Sequence, residues 1–189
     1  MKHSSPILLF LFVLALLAAC VPQSARNKIK EVVSSSVTSK PEEVAAMAEG
    51  IAAFDLPAGF EADYGLRLPG GFTLVGYKSG QNTHLFLMQF AAGSKLSQED
   101  MLKQMQTAAQ AQNHQWFGIE MKTIEEKPVS VLGKQTKLTI SEGKEGGGST
   151  FQQAVAMFDS KGGPTLMVMA GPAGSFEISQ AESFLASVH

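Results

Sequence analysis

The sequence predicts an α+β domain in which an antiparallel β-sheet is flanked by helices, preceded by an export signal and a tether. Three observations predict it. Short segments of alternating or wholly apolar character are separated by Gly-, Pro- and Asn-containing turns too short for parallel crossovers. Three segments carry apolar residues at helical spacing, near 44–51, 98–112 and 181–188. Up to residue 40 the chain instead joins an apolar leader to a stretch of small and polar residues.

The elements follow in order. Lys2 and His3 make a short basic start, and Ile7 to Ala19 is an unbroken apolar run of 13 residues. As a helix that run is about 20 Å long. A bilayer core of about 30 Å needs about 20 residues, so the run suits a signal peptide rather than a span. Residues 20–40 form the tether, with Ser34-Ser35-Ser36 inside it and Arg26, Lys28 and Lys30 near its start. As a flexible coil it reaches on the order of 25 Å. Its basic residues are solvated linker charge, with contact to anionic headgroups as the other reading.

The globular domain is expected over 41–189. Pro41-Glu42-Glu43 opens a helix, since Pro is tolerated in the first turn and acids suit the positive dipole end. Val44, Met47, Ala48 and Ile51 form its apolar stripe. Strands follow at Glu61 to Leu68, Phe72 to Lys78 and His84 to Ala91, with Pro69-Gly70-Gly71 and Ser79 to Asn82 as turns. Ser97 is the expected N-cap of a helix ending near Asn113, stapled by Leu96 and Met101. Five strands are then expected at Ile119 to Glu125, Val129 to Leu132, Lys134 to Glu142, Thr150 to Phe158 and Thr165 to Ala170. A final helix is expected to open on a Ser179–Glu182 capping box. Ala181, Leu185 and Val188 would face the core, with Phe184 on the flank.

Leu17-Ala18-Ala19-Cys20 resembles the lipobox of bacterial lipoproteins. The resemblance implies cleavage before Cys20, a diacylglyceryl thioether on its sulfur and often an acyl chain such as palmitate on the freed amine. Two or more chains give stable membrane anchoring. Val21 rather than Asp after the Cys resembles the signal for outer-membrane sorting in a two-membrane cell. Cys20 is the single cysteine, which excludes a disulfide scaffold, a thiolate metal site and a Cys nucleophile. Removing residues 1–19 lowers the basic count from 15 to 14 against 17 acids, a formal −3, with no electrostatic call for nucleic acid.

The element order, together with Leu56-Pro57-Ala58-Gly59-Phe60 and the closing hairpin plus helix, resembles PsbP-like (also DcrB-like) domains over about residues 54–189. These are small sandwiches on the outer side of membranes, mostly non-enzymatic. The resemblance implies a PsbP-like sandwich acting as an accessory or binding module, and it transfers no site residues.

No catalytic residue, metal site or cofactor is expected. His84, His114 and His189 share no ligand spacing, and His84 belongs to a strand face with Phe86, Met88 and Phe90. There is no G-x-S-x-G elbow and no phosphate-binding loop. Glu125, Glu126, Glu142 and Glu145 sit where solvated charge is the plain reading. Methionine is the unusual feature, at nine residues including Met1. Met88, Met101, Met105, Met167 and Met169 are the candidate lining of an apolar ligand pocket between helix 98–112 and the sheet, with core filling as the plainer reading and Cu(I) as a third.

Three functions are therefore in view. The first is a lipid-anchored, non-catalytic binding or assembly module of the cell envelope, with a protein partner and Trp116-Phe117 as a possible patch. The second is a carrier of a small apolar ligand or lipid. The third is an envelope hydrolase.

Overall fold

A computed structural model describes residues 36–95, 97–101, 119–144, 148–175 and 177–189. The signal peptide, Cys20 and most of the tether lie outside these residues, as does the body of the expected helix 98–112. The described residues form an eight-stranded, wholly antiparallel open sheet with few helices, mostly β with some α.

Strand β1 (Val37–Thr38) is followed by helix α1 (Pro41–Ile51). Next come β2 (Glu61–Leu68), β3 (Phe72–Ser79) and β4 (Thr83–Gln89). After a helical turn at 98–101 the chain resumes with β5 (Lys122–Val131), β6 (Lys134–Lys144), β7 (Thr150–Ser160) and β8 (Gly163–Pro172), and closes with α2 (Ile178–Ser187). The order across the sheet is β1-β2-β3-β4-β8-β7-β6-β5. Two meanders are thus joined along one seam, where β4 pairs β8 in the register His84↔Ala170 to Gln89↔Thr165.

Strand alternation sends side chains to two faces, and both are apolar. On the first face Val75, Leu85, Leu87, Leu138, Ile140, Ala154, Met167 and Met169 lie under α1 and α2. Val44, Ala48 and Ile51 of α1 and Ala181, Phe184 and Leu185 of α2 face them. On the second face Leu66, Leu74, Phe86, Met88, Val155, Leu166 and Val168 form a separate cluster with Met101 and Ile119.

Several local expectations hold and others are corrected. Ser97 does cap a helix: its Oγ accepts the Asp100 N–H at 3.1 Å, and Asp100 Oδ2 accepts the Ser97 N–H at 3.3 Å. The Ser179–Glu182 box does not form. Helix α2 starts two residues earlier at Ile178, with Glu177 as N-cap and no side-chain cap bond, and Glu182 instead pairs with Lys127 of β5. Phe184, expected on the flank, is fully buried and lies 5.0 Å from the Phe54 ring. The strands expected at 119–125 and 129–132 are one strand, β5. Pro128 does not break it because β5 is the sheet edge, where its missing N–H is not needed by a second neighbour. Finally, Val37 and Thr38, within the expected tether, pair with Leu66 and Gly65 of β2.

A buried polar clamp fixes one end of the seam. Gln89 Nε2 donates to Ser160 Oγ at 2.7 Å, Ser160 Oγ lies 2.7 Å from Thr165 Oγ1, and Ser160 donates to the Gly163 carbonyl at 3.1 Å. One hydroxyl thus joins β4, β7 and β8. Replacing it strands the partners in a buried setting, so Ser160→Ala is expected to cost about 1–3 kcal/mol in urea denaturation.

The β5–β6 turn carries a removable strain. Val131 pairs Lys134 across the two residues Leu132 and Gly133, both at positive φ, 53° and 72°. A two-residue loop of this kind favours Asn-Gly, and a left-handed Leu is costly. Leu132→Asn is expected to raise stability by on the order of 0.5–1 kcal/mol, read as a higher urea midpoint with an unchanged slope.

Candidate functional site

The best-defined polar feature outside the seam clamp is a row of side chains across the second face. Register alone builds it. Lys78 pairs His84, His84 pairs Ala170, Ala170 pairs Gln153, Gln153 pairs Ser141 and Ser141 pairs Thr123. All six residues point to the face that carries Phe86 and Val168, at the end of the sheet away from the Ser160 clamp.

Each group is held. A bulge in β2 between Ala62 and Tyr64 adds Asp63 to the strand, and Asp63 Oδ1 lies 3.2 Å from Lys78 Nζ, with Glu61 at 3.8 Å. The His84 ring stacks on Phe86 with centroids 5.7 Å apart and planes 5° from parallel. Phe86 in turn packs against Tyr64 at 6.2 Å, and the Tyr64 ring lies against Gly76, where a Cβ would collide with it. Ser141 is buried, with its Oγ 3.5 Å from Thr123 Oγ1. Ala170 is the small member of the row, between His84 and Gln153.

Burial lowers the His84 pKa, Asp63 opposes that shift and Lys78 adds to it. The imidazole is therefore held neutral. Burial raises the Tyr64 hydroxyl, helped by Asp63, and pushes Tyr77 on the other face up to about 12. The row offers a neutral imidazole, an amide, hydroxyls and one paired ammonium, which is hydrogen-bonding chemistry. It does not assemble a nucleophile with a base: Ser141 and His84 are three strands apart, about 14 Å at 4.8 Å per strand.

The structure separates the methionines named from the sequence. Met167 and Met169 are fully buried on the first face, whereas Met88 and Met101 belong to the cluster on the second. The sheet lies between the two pairs, and Met105 is outside the described residues. His114, Glu145 and Trp116-Phe117 are also outside them. His189 is exposed, its Nδ1 2.7 Å from the Ser187 carbonyl oxygen. Glu126 pairs with Lys137, Glu125 with Lys127, and Glu142 accepts from Gln152. Among the described residues no group of three or more His, Cys, Asp or Glu is placed to hold a metal ion, and no helix is long and apolar enough to cross a membrane. The sequence reading missed Asp63, Lys78, Gln153 and Ser141. The Lys78–His84 pair was the one within reach, because the tight turn at Gly80 fixes that hairpin register.

No protein-family model matches the chain, and no curated protein matches it. Among solved structures it is similar to a protein of Bacteroides thetaiotaomicron VPI-5482, with a TM-score of 0.43 and 11% sequence identity. The match covers 82% of this chain and 47% of that one, so the chain spans about half its length. A likeness at that level carries no argument about function.

The held-neutral His84 has a consequence for pH. The unfolded chain takes up the proton near the ordinary value of 6.5, and the folded chain resists it. Stability is therefore full above that value and falls as pH drops through it. His84→Gln is expected to flatten the loss of urea midpoint between about pH 7 and pH 5. An identical slope in both proteins would assign the acid sensitivity to other groups.

Proposed function

We propose that this chain is a membrane-anchored, extracytoplasmic lipoprotein whose β-rich domain, read more finely as a PsbP-like sandwich, is a non-catalytic binding or assembly module of the cell envelope. The observation that carries the reading is the Leu17-Ala18-Ala19-Cys20 sequence at the end of a 13-residue apolar run. In a two-membrane cell, Val21 rather than Asp after the Cys supports sorting to the outer membrane. Its partners are the membrane, through lipid on Cys20, and a protein of the envelope.

The fold supports a directional arrangement. Val37 joins the sheet at its β1–β2 edge, and the 17 residues from Cys20 span at most about 58 Å. The opposite edge, β5, lies seven strand spacings away, about 34 Å. Among the described residues, two of the three exposed large apolar side chains, Ile124 at 50% and Leu132 at 40%, lie on the β5–β6 hairpin. That hairpin is the side presented to a protein partner. A second reading, a carrier of a small apolar ligand or lipid, draws on Met88 and Met101 sharing the second-face cluster with Met121 and Met157.

Two measurements test this. In the native host, Cys20→Ala is expected to abolish incorporation of labelled fatty acid and to release the protein from the membrane fraction; retention of label would overturn the anchor. Gentle extraction of the full lipoprotein, followed by mass spectrometry, is expected to recover a stoichiometric protein partner that is lost with Ile124→Glu. A bound lipid without a protein partner would favour the carrier reading instead.

A further inference from the structure

We draw no further inference here: the strongest candidate, the polar row of Lys78, His84, Gln153 and Ser141 across the second face of the sheet, belongs to the site already described, and nothing in the structure shows what covers it.

Discussion

The pairing of β4 with β8 is the constraint on which the rest of the structure depends. Each meander is a local object, built from hairpins whose strands are neighbours in sequence. The seam between them brings His84 to Ala170, closing a loop of roughly 85 residues at an entropic cost of about 4 kcal/mol. What offsets that cost is burial on both sides at once. Leu85 and Leu87 meet Met169 and Met167 on one face, while Phe86 and Met88 meet Val168 and Leu166 on the other. Such strands read as continuous apolar runs because neither face meets water. The Ser160 clamp then fixes the register with groups that tolerate no slip, since a shift of one residue would send Gln89 to the other face.

The helical layer on the first face depends on the seam in turn. Helix α1 packs on β2 and β3, approaching closely at Gly65, where a Cβ would collide with Met47. Helix α2 packs on β5, held by Lys127–Glu182. The two helices therefore sit on different meanders. They are linked by a short antiparallel contact: the Ala53 N–H donates to the His189 carbonyl at 3.2 Å, and the His189 N–H to the Ala53 carbonyl at 2.9 Å. Phe54 extends the link by packing on both Tyr77 of β3 and Phe184 of α2. Phe184 is central for that reason, although helical spacing alone assigns it to a flank.

Much of the fold was legible because its signals are local. Turn residues bounded the strands, alternation assigned their faces, and Ser97 announced its helix. The merged strand β5 was not legible, because Pro128 breaks a strand unless that strand lies at an edge, and edge position is set by distant pairings. The Ser179 box failed for a related reason. Glu182 has a tertiary partner in Lys127, and a charged hydrogen bond to it replaces the local cap. The polar row escaped because its members come from β3, β4, β6 and β7 and meet only through register. The methionines show the same limit in reverse. Their chemistry marks them as core residues, but which face of the sheet the strand methionines reach follows from pairing, which puts Met88 on one face and Met167 and Met169 on the other.

The two sheet edges are built differently, and the difference bears on how the domain would meet a partner. On one side β1 contributes only two residues, and the neighbouring β2 carries a bulge at Asp63. A short, bulged border of this kind is a poor template for further strands. On the other side β5 is ten residues long. It is interrupted by Pro128 and by a bulge that leaves Ile124 without a cross-strand partner, and it bears Lys122, Glu125, Glu126 and Lys127. These devices suppress strand addition. They do not suppress side-chain contact, because the bulge that spoils the ladder also turns Ile124 outward to half its full exposure. A partner meeting this edge would therefore recognise it through side chains rather than by extending the sheet.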